Sequence, residues 1–401
     1  MKTALTWKEQ CQIIDKCIHE NIKLSDALTD KGFSYNMLNY KEPSDSRLLS
    51  SSDYSPIDKI QIIDNGIRIV SFFSGCGGLD LGFERAGYKH LACIDINEHF
   101  CNTLRANRPS WKIIGPPQST GDVSNRKEME KELRKIIKPN FNGVFIGGPP
   151  CQPFSIAANQ RFKKSDKNFK RIGFNHKTQG NLLFDYVWYI RKFKPAAFVI
   201  ENVTGLLTVD GGKQLAKAVS MLKEVGYHVS KPTVINAVDY GVPQIRKRLF
   251  VVGSIKGDFI FPKSKNKKTP CIAALQASVQ NVKNHEIRSH DAQSVKRYMM
   301  LKPKERDNLG RVNRLDPNKP SLTVIAGGMK GGGRSHLHPF VPRTLSVRES
   351  ARLQTFPDDF VFYGPIARQF TQVGNAVPPI LAFQIAKEIE KQFFKRSRQD
   401  E

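Results

Sequence analysis

Between residues 67 and 254 short apolar runs alternate with helical patterns, and this alternation restricts the possible folds more than any other feature of the chain. IRIVSFF, HLACIDI, GVFIGG, AAFVIEN and RLFVVGS are the strand candidates. LDLGFERAG, NEHFCNTLRAN, NLLFDYVWYIRKF and GKQLAKAVSMLKEVG are the helix candidates lying among them. Strands that alternate with helices predict an α/β fold, with a mostly parallel sheet covered on both faces. After about residue 254 the rhythm breaks. PKSKNKKTP is a basic loop, residues 271–320 show no clear alternation, and GGMKGGGRSH is rich in glycine. A second, smaller domain is expected there. A helical pattern returns in PPILAFQIAKEIEKQFF, residues 1–40 also read as helical, and 44–56 look like a serine-rich linker.

Charge narrows the partner. Lys and Arg outnumber Asp and Glu by 63 to 37, a formal net charge of +26 spread along the chain. Phosphate neutralisation by such side chains drives nucleic-acid affinity, so a polyanion is the leading partner; a merely basic protein is the alternative. No apolar run reaches the roughly 20 residues of a membrane span, and MKTALTWKEQ lacks the apolar centre of a signal peptide. The seven cysteines include no CxxC pair, which argues against structural zinc and a disulfide framework and for a reducing, intracellular compartment.

Several turns carry chemistry. FFSGCGGLD sits between a strand and a helix, where glycines let backbone N–H groups approach a ligand. Asp95 ends the next strand and could take ribose hydroxyls or simply cap the following helix. The turn is shorter than GxGxxG and has no P-loop Lys-Ser/Thr, which favours a nucleoside cofactor without a pyrophosphate. Asp122, after a possible third strand, could accept from an adenine amine or be a loop cap. In GGPPCQPFS the prolines lock the backbone and present Cys151 beyond a strand's C-terminal end, where open α/β sheets bind ligands. A lone cysteine is more often a small buried hydrophobe, but the flanking prolines and the polar Gln152 and Ser155 argue against core packing. Glu201 and Asn202 end another strand, a position suited to proton chemistry or to a helix cap. In QIRKRLF, Gln244, Arg246 and Arg248 share one side if the segment is extended. Two arginines there could steady a carboxylate, a developing charge or a phosphate.

Taken together, FSGCGG, GGPPCQPFS, ENV, QIRKR and QVGNAVPP resemble, in order and spacing, the DNA (cytosine-5) methyltransferase family, over roughly residues 67–392. The resemblance implies a Rossmann-like S-adenosylmethionine-dependent methyltransferase domain with a smaller target-recognition domain, and DNA in the cleft between them. It divides the chain into an N-terminal helical extension (1–65), a catalytic domain (66–253, completed by 365–395) and a recognition domain (254–364). For the cofactor, S-adenosyl-L-methionine, it implies Phe73 and Ile96 flanking the adenine, Asp122 at its amine, and Asp95 on the ribose. Gly75, Gly77 and Leu182 would line the pocket, with Asn375 and Val377 over the methionine end.

For the reaction it implies that the Cys151 thiolate adds to C6 of a flipped-out cytosine. Glu201 would hold N3 and the exocyclic amine, and Arg246 and Arg248 would steady Glu201 and the O2 side. The basic run RFKKSDKNFKR, with Lys163 and Lys164, would close on DNA; Ser155, Thr323, Lys330 and Arg334 are further expected DNA contacts.

A tRNA-modifying branch of the family carries a Cys-Phe-Thr element, and here Cys271 is followed by Ile-Ala. A non-catalytic DNA-binding relative would be expected to lose the cysteine or the cofactor turn, and both are kept. The leanness of the chain fits the modification half of a bacterial restriction–modification system: a monomer working on double-stranded DNA in the cytoplasm, at the nucleoid, beside a restriction endonuclease; a stand-alone methylase would look the same. The target sequence is not legible, because the variable region between QIRKR and RLDP is short. The resemblance generates a first prediction. Cys151→Ser is expected to abolish methylation while S-adenosylmethionine binding, measured by titration calorimetry, stays nearly intact; an active variant would exclude the covalent scheme.

Overall fold

A computed structural model gives the architecture; it describes residues 5–43, 57–150, 182–265, 268–279, 281–326 and 336–395. The strand candidates form one sheet. Strands β1 (Arg68–Phe72), β2 (Lys89–Ile94), β3 (Ile113–Ile114), β4 (Val144–Gly147) and β5 (Ala197–Asn202) run parallel. Strand β8 (Lys247–Ser254) pairs antiparallel with β5, and the short strands β6 (His228–Val229) and β7 (Thr233–Asn236) pair antiparallel with β8. The order is β3-β2-β1-β4-β5-β8-β6, so the chain steps outward one way from β1 and then returns to β4 on its other side. That reversal makes a crevice at the C-terminal ends of β1 and β4, the place where such sheets bind ligands.

Successive residues of each strand feed opposite cores. Ile69, Val144, Ile146, Val199 and Phe250 pack on one face with Phe83 of α3 (Gly78–Arg85) and with Leu381, Ile385 and Ile389 of α12 (Pro379–Ile389). Val70, Phe72, Phe145 and Ile200 pack on the other with Leu133 of α5 (Arg126–Arg134), Tyr186 and Ile190 of α6 (Leu182–Phe193) and Leu222 of α7 (Lys213–Lys223). Placing α12 against α3 explains the helical pattern near the end of the sequence: it supplies a missing half of the sheet's cover. Among the described residues no helix is long and apolar enough to cross a membrane.

The remaining elements form a second body. It contains α8 (Ile272–Leu275), α9 (Ala292–Met299), the two-residue parallel strands β9 (Asn313–Arg314) and β10 (His336–Leu337), and α10 (Val347–Leu353). The N-terminal helices α1 (Trp7–His19) and α2 (Leu24–Thr29) pack on this body, not on the sheet: Ile13, Ile14, Cys17, Leu24, Leu28 and Leu38 share a core with Ala292, Val295 and Met299. Helix α1 starts at a reciprocal cap, in which the Thr6 hydroxyl accepts from Glu9 N–H and the Glu9 carboxylate accepts from Thr6 N–H. The serine-rich linker of residues 44–56 lies outside the described residues.

Arg246 joins the two bodies. It is fully buried just before β8. Its Nη1 donates to the Val324 carbonyl at 2.9 Å, and Nη2 donates to the carbonyls of Gly374 (2.6 Å) and Ala376 (2.9 Å). Gly374 belongs to α11 (Ile366–Asn375), which leads into α12. Beside it, Gln244 accepts from Val324 N–H at 2.8 Å and donates to the Leu353 carbonyl and to Gln354 Oε1. Leaving a buried acceptor unpaired costs about 1–3 kcal/mol. Arg246→Ala removes the donor to three such carbonyls at once, and is expected to lower unfolding stability in urea by more than about 3 kcal/mol. A loss below about 1 kcal/mol would show that the junction does not depend on this side chain.

Candidate functional site

Strand register brings the sequence motifs onto one edge. Phe72 is aligned with Ile94 on β2 and with Gly147 on β4, and Gly147 is aligned with Ile200 on β5. The next residues therefore stand in the order Asp95, Phe73, Gly148, Glu201 along the C-terminal edge of the sheet. Each step is one strand spacing of about 4.8 Å. Four motifs spread over more than a hundred residues thus meet because their strands are neighbours and end level.

Glu201 is buried, and its carboxyl is pushed above the usual glutamate range by burial, against the opposing pull of Arg248 and Arg246. Arg248 Nε lies 3.2 Å from Glu201 Oε1, yet it is not aligned as a hydrogen bond, and Oε1 has no hydrogen-bond partner among the described residues. Arg248 Nη1 donates instead to the Lys247 carbonyl. Arg246 acts on Glu201 through charge while its hydrogen bonds go to backbone. The alternation expected of QIRKR is present: Gln244 and Arg246 are buried, while Ile245 and Lys247 are exposed.

The turn that leads to Cys151 lies close beside this carboxyl group. A Cβ on Gly148 would sit 2.9 Å from Glu201 Oε2, so a larger residue there would have to displace the end of that side chain. Asn202 Nδ2 donates to the Pro149 carbonyl at 3.3 Å. Cys151, Ser155, Lys163, Lys164, Lys330 and Arg334 lie outside the described residues.

The first glycine turn adjoins Asp95. Gly75 N–H donates to Asp95 Oδ2 and Asn97 N–H to Oδ1, both at 2.8 Å. Burial raises the Asp95 carboxyl to about 6 in spite of these bonds. The cap of α4 (Glu98–Asn107) is Asn97, whose side chain accepts from His99 and Phe100 N–H, so Asp95 is not used as the helix cap. Phe73 is half-buried at positive φ with its ring edge-on to Tyr186, and Ile96 is 63 % exposed. Asp122 Oδ1 accepts from both the N–H and the hydroxyl of Ser124. Leu182 is half-buried at the start of α6.

QVGNAVPP lies against the same turn: a Cβ on Gly78 would meet the Val377 carbonyl at 2.3 Å and Ala376 Cβ at 2.9 Å. Gly77 begins α3 in the left-handed conformation. Asn375 is exposed at the end of α11, whereas the Val377 side chain points into the core under the turn. Thr323, half-buried, donates its hydroxyl to the Ile245 carbonyl at 2.7 Å and so belongs to the strip that runs beside QIRKR.

One cluster behind the turn has no sequence signature. Asp80 of α3 accepts from His90 Nε2 (3.1 Å) and Cys93 Sγ (3.5 Å) of β2, and Trp111 stacks on the His90 ring at 3.7 Å. The three ligand-capable atoms lie within 4.8 Å of one another. With three groups already hydrogen-bonded among themselves, the cluster reads as a tie between α3 and β2. Its ten-residue and three-residue spacings match no ligand motif, so only the packing of α3 on β2 reveals it.

Comparison with known proteins gives the family. The profile of C-5 cytosine-specific DNA methylases matches residues 67–391. The type II methyltransferase M1.HphI of Haemophilus parahaemolyticus is 34% identical over 84% of this chain and 90% of its own length. M.Eco47II of Escherichia coli is 32% identical over 83% and 81%. The crystal structure of a putative DNA modification methyltransferase encoded within an E. coli prophage superposes with a TM-score of 0.64 at 25% identity, over 82% of this chain and all of that one. A Schizosaccharomyces pombe Dnmt2 structure, at 16% identity and a TM-score of 0.53, shares the fold. The ordered edge Asp95, Phe73, Gly148, Glu201 and the match over residues 67–391 lead to one conclusion: the chain belongs to the C-5 cytosine-specific DNA methylase family and is a DNA cytosine methyltransferase.

Proposed function

We propose that the chain methylates C5 of cytosine within a specific double-stranded DNA sequence, with S-adenosylmethionine as cofactor and through a covalent bond from Cys151 to C6 of a flipped base. The observation that carries this reading is the buried Glu201 carboxyl group, with one oxygen lacking a hydrogen-bond partner among the described residues, beside the turn that leads to Cys151. A cytosine offers one ring nitrogen and one amine on the same edge, and a carboxyl group there can meet both. Burial favours the protonated form of Glu201, which is the form that donates to N3 as negative charge develops on the ring during thiolate addition. Arg248 lies close enough to oppose the desolvation of the charged form. After methyl transfer a base takes the C5 proton and the thiolate leaves by elimination. The base must leave the duplex for this geometry, at a cost of a few kcal/mol that DNA contacts offset; the +26 charge is suited to supplying them.

The cofactor residues fit a nucleoside. Gly75 has a positive φ, and a Cβ there would meet nothing within 4 Å, so the turn has open space beside it. Asp95 keeps a second lone pair on each oxygen for ribose hydroxyls, and exposed Ile96 offers an apolar surface for a base. S-adenosylmethionine, when bound, supplies the methyl electrophile. In the cell, the reading is that of the modification partner of a restriction endonuclease, protecting cytoplasmic DNA.

The test is incubation with tritium-labelled cofactor and plasmid DNA, followed by bisulfite sequencing. C5 methylation at one defined sequence is expected; label without a sequence, or none, would count against it. Asp95 supplies a pH signature. Its carboxyl is raised in the fold to about 6 from an unfolded value of about 3.9. The free fold therefore favours the neutral acid, and the stability Asp95 contributes is lost as pH rises through about 6. Ribose binding requires the opposite form, the anion. Affinity for S-adenosylhomocysteine should weaken roughly tenfold as pH falls below about 6, on the scale of one charge-assisted hydrogen bond. Asp95→Asn should flatten that dependence; an unchanged profile would remove Asp95 from the site.

A further inference from the structure

The N-terminal residues fall outside the match to the family profile, which begins at residue 67. They are nevertheless built into the second body at its most fragile point. Strands β9 and β10 have two residues each, and a strand pair of that size does not hold itself in water. What holds it is a strap, residues 35–42. The Tyr40 hydroxyl lies 2.8 Å from the His338 carbonyl and 3.1 Å from that of Val341. The Tyr40 ring lies 3.6 Å from the guanidinium carbon of Arg314, a β9 residue that is itself fully buried. Arg314 donates to the Glu42 carbonyl of the strap, to Leu301 and to Pro339 just after β10. Asn36 accepts from Arg343 Nε at 2.9 Å, the Lys41 N–H donates to the Met299 carbonyl, and the Tyr35 hydroxyl donates to the His290 carbonyl.

These bonds fix both ends of one stretch of chain. Arg314 enters it on β9 and His336–Leu337 leave it on β10. His336 connects the two strands, with its ring nitrogens 2.9 Å from Asn313 Oδ1 and 3.2 Å from the Thr323 carbonyl. Thr323 in turn touches the strip beside Arg246 and so the edge that carries Glu201 and Arg248. The strap thus sets where β9 and β10 stand relative to the catalytic edge.

We propose that residues 35–42 are part of the target-recognition apparatus: Tyr40 and Asn36 are positioning residues that set where β9, β10 and the adjoining Thr323 stand on DNA. A short variable region, residues 249–313, is in this way completed by the other end of the chain. The inference rests on the reading of the second body as the DNA-recognition body.

The test uses the full chain and reads a ratio. Tyr40→Phe removes the hydroxyl while keeping the ring over Arg314, and Asn36→Ala, at an exposed position, removes the acceptor of Arg343 Nε while Arg343 keeps its pairing with Glu349. Each variant methylates a randomised double-stranded DNA library at limiting enzyme, and bisulfite sequencing gives methylation at the preferred site relative to single-base variants of it. A smaller active fraction scales both numbers equally and cancels. The ratio is expected to fall about three- to tenfold, the scale of one hydrogen bond, with S-adenosylhomocysteine affinity unchanged. An unchanged ratio in both variants, whatever the total activity or thermal stability, overturns the proposal. If Tyr40→Phe does not fold, Asn36→Ala decides alone. A wild-type chain that methylates no DNA overturns the underlying functional reading, whereas a selective wild type with unchanged variants overturns this inference only.

Discussion

A single buried guanidinium determines how the two bodies meet. Arg246 has no exposure to solvent, and its donors hold carbonyls from Val324, Gly374 and Ala376. Those three carbonyls belong to the second body and to the turn into the last helix. An arginine suits this position because its planar fork reaches several acceptors without shedding its charge. The charge has a second effect, because it opposes the desolvation of Glu201 on the neighbouring strand. The same side chain therefore ties the junction and acts on the Glu201 carboxyl, which couples the position of the second body to the electrostatics of the edge.

Two carboxyl groups stand at the ends of this edge, and burial raises both. They differ in what surrounds them. Asp95 is tied by two backbone N–H groups that also shape the cofactor turn. Glu201 is paired loosely with Arg248 and keeps one oxygen without a hydrogen-bond partner among the described residues. Asp95 is thus fixed in place, and Glu201 is held less tightly. Leaving a buried acceptor unpaired carries a cost, and such costs recur where a ligand is to be received.

The second body is held by polar contacts as much as by its core. Its short strands depend on Arg314, and α10 depends on Arg343, Arg348 and Arg352, all buried. Glu349 receives both Nη atoms of Arg343; burial alone would raise its carboxyl, and the paired arginine outweighs that and holds it at about 2. Part of the large positive charge is therefore structural and internal, and is not available to phosphates. The excess that remains on the surface is what DNA can meet.

Within the sheet, local sequence was sufficient. Apolar runs such as IRIVSFF and AAFVIEN cannot be exposed, and their alternation with helical patterns leaves few arrangements open, so β1, β2, β4, β5 and β8 and their helices were legible. The two-residue strands β6, β9 and β10 and helix α5 were not, because a segment that short or that polar carries no periodicity of its own and is fixed by its neighbours. The motifs named Glu201, Asp95 and the arginines, since a charged residue at the end of an apolar run has few uses besides chemistry. Residue type could not show that Arg246 spends its hydrogen bonds on carbonyls, that Asn97 is the helix cap in place of Asp95, or that Val377 turns its side chain to the core. Nor could it place residues 35–42 beside Arg314, more than 270 positions away along the chain. Sequence determined which groups the protein brings to its chemistry; tertiary packing decided which of them face one another, because hydrogen bonds and burial depend on distances that only the folded chain sets.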